Sequence, residues 1–193
     1  IFTSCAPSLK RISLELGGHC PAIVCADADL DLAAKVLSYK GFRNCGQSCS
    51  SVNRVFAHES IHDALVERLS NEAQSMTMGD GITDPKVDLG PLTTAATRAL
   101  VENHVADAIE HGAKLICGGS CPSDVAYQSG HYYLPTVLTQ ADARMKLWKE
   151  ETFGPVLPVT SFDDTEIAVA QANDSTYGLV SYVFTRELET GLH

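Results

Sequence analysis

PAIVCADADLDLAAKVLSYKGFRNCGQSCSSVNRVFA, residues 21–57, holds the pattern on which the fold is read. PAIVCA (21–26) is a short apolar run closed by acidic residues, the mark of a buried strand. In ADADLDLAAKVLSYKGF the apolar residues Leu30, Ala33, Ala34, Leu37 and Phe42 fall roughly on one helical face, and Asp27 or Asp29 can cap the start. SVNRVFA (51–57) then resumes as a strand rich in β-branched residues. A strand, a helix and a second strand in this order predict a right-handed crossover between parallel neighbours.

The same alternation continues on both sides. Upstream, RISLELGG (11–18) reads as another buried strand closed by glycines. Downstream, IHDALVERLSNEAQSM (61–76) has helix period through Ile61, Leu65 and Leu69, and GDGITDPKVDLGP (79–91) is loop by composition. TTAATRALVENHVADAIEHGAK (93–114) is a second long helix that Gly112 can cap. KLICGG, YYLPTVL, GPVLPVTSF and LVSYVFT read as strands, with a helix from Asp164 to Asn173. The expectation is an α/β three-layer domain, a largely parallel twisted sheet flanked by helices.

With 193 residues, 45% of them apolar and 20% charged, the chain can fill one core. A net charge of −10 argues against nucleic acid and anionic membranes as partners, since both require clustered Lys and Arg. No apolar run approaches the roughly 20 residues of a membrane span, and the N-terminus lacks the order of a secretion signal. Seven cysteines, an odd number in a chain of this size, favour reduced thiols and hence the cytoplasm or an organelle matrix. Neither G-x-G-x-x-G after a strand nor G-x-x-x-x-G-K-[ST] occurs.

Three places carry candidate chemistry. Cys49 lies between a helix end and a strand start, where a side chain can face the crevice at one end of a parallel sheet; a free cysteine is otherwise a small buried hydrophobe. Glu15 stands between Leu14 and Leu16, ahead of two glycines. A carboxyl buried in such a run has a raised pKa and makes a general base, whereas one on a strand edge merely faces water. In KEETFGPVLPV (149–159), Glu151 and Phe153 can project together from a strand start, and a carboxylate beside an aromatic face suits a sugar hydroxyl and a flat ring. The alternative there is an ordinary acidic loop.

LELGG (14–18), F-x-N-x-G-Q-x-C (42–49), E-E-x-F-G-P (150–155) and N-x-S-x-Y-G-L (173–179) occur in this order. The set resembles the NAD(P)-dependent aldehyde dehydrogenase superfamily, from about Leu9 to near the C-terminus. The resemblance implies that Cys49 is the nucleophile that adds to an aldehyde, giving a thiohemiacetal and then, after hydride transfer to NAD or NADP, a thioester. It implies that Glu15 activates the hydrolytic water, that the Cys49 peptide N–H helps hold the oxyanion, and that Glu151 and Phe153 contact the nicotinamide ribose and ring. Gly17 matches the place where backbone approaches the nicotinamide closely. Asn44 matches an asparagine near the nucleophile, with turn stabilisation as its other reading; Cys45 is taken as packing.

F-R-N-x-G-Q-x-C is similar to succinate-semialdehyde dehydrogenases, in which an arginine at the position of Arg43 binds the distal carboxylate of the substrate. An arginine at a helix end equally makes a structural salt bridge. Ser51 departs from that subgroup, where a second cysteine commonly follows the nucleophile by two residues, so a Cys-x-Cys disulfide is ruled out; a Cys45–Cys49 pair has nothing in its favour.

By the same resemblance, IFT at the start is the last strand of a cofactor domain, residues 1–10 are the edge of that domain, and 11–193 form the catalytic thiol domain. The main NAD(P)-binding domain is then outside this chain. The chain alone is expected to be inactive as a dehydrogenase, and the full-length protein to be a homo-oligomer, dimer or tetramer, acting on a small-molecule aldehyde. The rival readings are a zinc module, from Cys45-x3-Cys49 and Cys117-x3-Cys121, and a catalytically silent interaction module. No metal is expected: His104 and His111 lie on one helix without a metal motif, and GQSCS lacks the final glycine of a serine-nucleophile elbow.

Overall fold

A computed structural model describes residues 1–192. Its strands are β1 (Cys20–Val24), β2 (Val52–His58), β3 (Lys114–Cys117), β4 (Thr136–Thr139), β5 (Val156–Phe162) and β6 (Tyr182–Phe184). They form one sheet in the order β3-β4-β5-β2-β1-β6, parallel throughout except for the antiparallel edge strand β3. The helices are α1 (Phe2–Cys5), α2 (Leu30–Phe42), α3 (His62–Ser75), α4 (Ala95–Glu110), α5 (Lys146–Lys149), α6 (Thr165–Asn173) and α7 (Leu188–Leu192).

Alternation along the strands sorts the core into two layers. Ala22, Val24, Val55, Ala57, Leu157 and Val159 face α2 and α3, meeting Ala33, Leu37, Leu65 and Leu69. Ile23, Phe56, Val156 and Phe162 face α4, α5 and α6, meeting Val101, Val105, Trp148 and Ala168. Burying residues on both faces is what a parallel sheet between helix layers requires, so the three-layer α/β expectation holds.

The helix boundaries follow from capping chemistry. Asp29 accepts from the Leu32 N–H at the start of α2, Thr94 from Thr97 N–H at α4, and Asp164 from Glu166 N–H at α6. Gly112 ends the α4 region at φ +103, with Ala113 N–H returning to the Ala108 carbonyl. No described helix is long and apolar enough to cross a membrane.

Two expected strands do not form. IFT lies at the start of α1, a short helix with no buried residue, so it is not a strand. RISLELGG has no strand pairing: Leu14 is 49% exposed and Leu16 70%, and Glu15 is exposed as well. Glu15 is therefore not the buried carboxyl in an apolar strand that its neighbours suggested. An alternating apolar pattern forms a strand only where a partner strand accepts its hydrogen bonds and a layer covers its apolar face, and here β1 starts only at Cys20. Residues before Gly18 contribute no buried side chain.

Candidate active site

The turn after α2 is built from three consecutive residues in the left-handed region, Asn44 (φ 55), Cys45 (φ 57) and Gly46 (φ 70). Asn and Gly tolerate this backbone; Cys45 adopts it only because its surroundings enforce it. Asn44 Nδ2 donates to the Gln47 carbonyl at 2.8 Å, and Gln47 Nε2 donates back to the Asn44 carbonyl at 3.0 Å. Gln47 Oε1 also accepts from the Thr93 N–H at 2.9 Å and from its hydroxyl at 3.0 Å. A side chain on Gly46 would run into the Gly154 carbonyl. Asn44 is thus a turn-former here, and Cys45 is packing: its thiol is buried in the core, and burial pushes its pKa up to about 12.

This rigid turn delivers Cys49, half-buried, just ahead of β2. The segment around it is pinned from three sides. Ser51 Oγ donates to the Lys40 carbonyl at 2.8 Å, the Tyr182 hydroxyl donates to the Ser50 carbonyl at 2.7 Å, and Cys20 Sγ donates to the Cys49 carbonyl at 3.3 Å. Among the described residues the Cys49 peptide N–H has no protein acceptor. It is free to donate to a negative oxygen formed next to the sulfur.

Gly17 and Gly18 run between Cys49 and Glu151. The Gly18 N–H donates to Glu151 Oε1 at 3.1 Å. A side chain on Gly17 would collide with the Glu151 carboxylate, and one on Gly18 with the Cys49 carbonyl. Burial raises the Glu151 pKa, an effect the Gly18 N–H partly offsets by stabilising the charged form. Phe153, half-buried and left-handed at φ 50, follows two residues later. Between them Thr152 is buried and bonded through Oγ1 to His104 Nδ1 at 3.1 Å. The segment bearing Glu151 and Phe153 is therefore anchored to α4. Its geometry suits a flat, hydroxylated ligand over exposed backbone.

All of these groups precede their strands. Cys49 lies before β2, Gly17 and Gly18 before β1, and Glu151 and Phe153 before β5. The cluster sits at the amino ends of parallel strands, not in the carboxyl-end crevice that open α/β sheets generally use.

Glu15 lies on the exposed segment that leads into Gly17 and makes no side-chain hydrogen bond among the described residues. Arg43 is exposed at the end of α2 with its guanidinium 5.9 Å from the Tyr39 ring centre, and it takes part in no ion pair among the described residues. The structural salt bridge considered for it is absent. Nor do the four zinc-spaced thiols gather: no described group of three or more His, Cys, Asp or Glu is arranged to hold a metal ion.

Sequence reasoning missed Gly18, His19, Cys20 and Arg54. Arg54 is on β2, only 1% exposed. Its guanidinium donates to the carbonyls of Ala172 at 2.8 Å, Gln171 at 3.1 Å and His19 at 3.3 Å, tying the end of α6 to the entry of β1. His19, 3% exposed, bonds through Nε2 to the Trp148 carbonyl at 2.9 Å. The available signal was an arginine inside the otherwise strand-like SVNRVFA, since a charge in a buried run must be multiply bonded.

The whole chain, residues 1–193, matches the aldehyde dehydrogenase family. It is 40% identical over 188 residues to the succinate-semialdehyde dehydrogenase [NADP(+)] GabD of Escherichia coli K12, covering 97% of this chain and 38% of that protein. It is 40% identical over 192 residues to the lactaldehyde dehydrogenase of the same organism, covering 100% of this chain and 39% of that one. Among solved structures, an aldehyde dehydrogenase from Brucella melitensis biovar abortus 2308 superposes with a TM-score of 0.92 at 39% identity, over 99% of this chain and 38% of that one. An aldehyde dehydrogenase from Mycobacterium tuberculosis complexed with NAD+ gives 0.91 at 37% identity, over 99% and 39%. The chain thus spans about two-fifths of the length of these relatives, and over that span it belongs to the aldehyde dehydrogenase family.

Proposed function

We propose that this chain carries the thiol chemistry of an NAD(P)-dependent aldehyde dehydrogenase, oxidising an aldehyde to a carboxylic acid. The observation that carries the reading is the Gly17–Gly18 backbone held between the Cys49 turn and the Glu151 carboxyl. It leaves main chain bare where a flat cofactor ring would need to come close. Glu151 offers an acceptor for a ribose hydroxyl, and Phe153 offers an apolar face. Bound there, the nicotinamide of NAD or NADP would supply a hydride acceptor.

In this reading Cys49 Sγ adds to the aldehyde carbonyl, and the peptide N–H of Cys49 donates to the oxygen that takes the charge. Loss of hydride leaves an acyl group on Cys49 as a thioester. Glu15, on the exposed segment entering Gly17, takes a proton from the water that hydrolyses it, and the acid departs with the thiol restored. The free guanidinium of Arg43 suits the distal carboxylate of a semialdehyde such as succinic semialdehyde. The E. coli relative that bears this name supports that choice, and its NADP supports a nicotinamide cofactor.

The chain by itself carries no dinucleotide fingerprint and is not expected to turn over. The test is therefore a segment exchange, with this chain replacing its counterpart in the E. coli relative. Steady-state turnover is expected, abolished in Cys49→Ala, while Glu15→Gln keeps a burst of reduced cofactor but loses the steady state. A Cys49→Ala hybrid with normal turnover would end the proposal. Arg43→Ala should raise KM for succinic semialdehyde and not for an uncharged aldehyde; equal effects would remove Arg43 from substrate recognition.

A further inference from the structure

Cys20 opens β1 almost wholly buried, yet its sulfur is directed at the nucleophile turn and reaches the carbonyl oxygen of Cys49 itself at 3.3 Å. Covalent geometry keeps a cysteine's own sulfur within about 5 Å of its carbonyl oxygen. The two sulfurs therefore lie within about 8 Å of each other. Cys20 also lines a cavity of about 240 Å³ with His19, Arg54, Tyr177 and Leu179, which gives its own side chain space to turn. On the other side, Gly18 has no side chain to come between the Cys49 carbonyl and β1.

We propose that Cys20 is the resolving thiol of Cys49, closing a reversible disulfide with it when Cys49 is oxidised by a peroxide. The inference rests on Cys49 being the reactive thiol. The Cys49 sulfur attacks the peroxide oxygen, the O–O bond breaks, and Cys49 becomes a sulfenic acid with release of water or an alcohol. The Cys20 sulfur then attacks the Cys49 sulfur, the S–O bond breaks, and water leaves with the Cys20 proton. Two thiols have given up two electrons to one peroxide, and an external dithiol reverses the change. Left without a partner, the sulfenic acid would go on to the irreversible sulfinic acid.

The roles are not interchangeable. Burial raises the Cys20 pKa, so Cys20 rests as the thiol while half-exposed Cys49 meets the oxidant. Cys45, closer in sequence, is not the partner. Its sulfur lies in the core layer on the α4 side, on a backbone locked left-handed by the Asn44–Gln47 bonds.

The test uses the chain itself, treated with limiting hydrogen peroxide, alkylated, digested without reductant and read by mass spectrometry. A Cys20–Cys49 linked peptide pair is expected, lost on adding dithiothreitol and retained in Cys45→Ala. In Cys20→Ser and Cys20→Ala, with folding checked by circular dichroism, the pair should vanish while dimedone capture and sulfinic acid at Cys49 rise several-fold. Equal dimedone capture at Cys49 with and without Cys20, and no linked pair, would overturn the resolving role alone. Failure of Cys49 to react with dimedone or iodoacetamide in every variant would overturn it together with the proposed nucleophile.

Discussion

Gly18 and Cys49 are in backbone contact: the position where a Gly18 side chain would begin is already taken by the Cys49 carbonyl oxygen. The obstacle is main chain and is held by the bonds of Ser51 and Tyr182, so it cannot turn aside as a flexible side chain would. Gly18→Ala should lower stability by about 1–3 kcal/mol through overpacking and displace the nucleophile turn. Urea denaturation would read the first effect and the rate of iodoacetamide labelling at Cys49 the second. A variant with unchanged stability and labelling would show that the turn yields freely.

Arg54 is a charge sunk in the sheet, and three carbonyls accept from it. Replacement by Leu would keep much of the volume but remove the Arg54 donors from the Ala172 and His19 carbonyls, at about 1–3 kcal/mol for each that stays dry, while the Gln171 carbonyl keeps the Asp174 N–H. A total of about 2 kcal/mol or more is what such a loss implies. Arg54→Lys should recover only part of it, because one ammonium cannot reproduce the planar fork that reaches Gln171 through Nη1 and both His19 and Ala172 through Nη2. Thermal unfolding of the two variants is the measurement, and equal stability of Leu and Lys would contradict this account.

The strands and helices that pack were legible because burial and periodicity coincide in them. In β2, Val55 and Phe56 go to opposite layers, and in α3, Leu65 and Leu69 line one face. LELGG misled for the same reason: Leu14 and Leu16 alternate as a strand would, but alternation reports which side can be buried and not whether anything covers it. The glycine pair signalled a close approach without revealing what approaches. Its neighbours, Cys49 and Glu151, are distant along the chain, and strand order is not written in any local pattern. Placement of the cluster at the amino ends of the strands followed only from the order of the sheet.

Cys45 and Cys49 should differ sharply in reactivity despite their closeness in sequence. Burial holds the Cys45 thiol at about 12, leaving almost no thiolate near neutrality, whereas Cys49 is half-exposed. Brief iodoacetamide treatment of the folded chain should modify Cys49 and spare Cys45 until denaturant is added. Mass-spectrometric peptide mapping decides it. Labelling of Cys45 ahead of Cys49 would reverse the assignment of which sulfur packs and which reacts.

His19 should make stability depend on pH on the acid side of neutrality. Burial lowers its pKa from 6.5 to about 4; the Trp148 carbonyl bond partly opposes this, while the nearby charges of Arg54 and His104 add to it. That bond requires the proton on Nε2, leaving Nδ1 buried without a partner. The unfolded chain accepts a proton as pH falls through 6.5, but the folded chain resists until about 4. Stability is therefore intact above the higher value and declines across that interval, by up to about 3 kcal/mol. His104, also lowered chiefly by burial, acts in the same direction. Urea midpoints between pH 7 and pH 4 should fall less steeply in His19→Gln than in the unaltered chain, and parallel slopes would mean that His19 takes up its proton without opposing the fold.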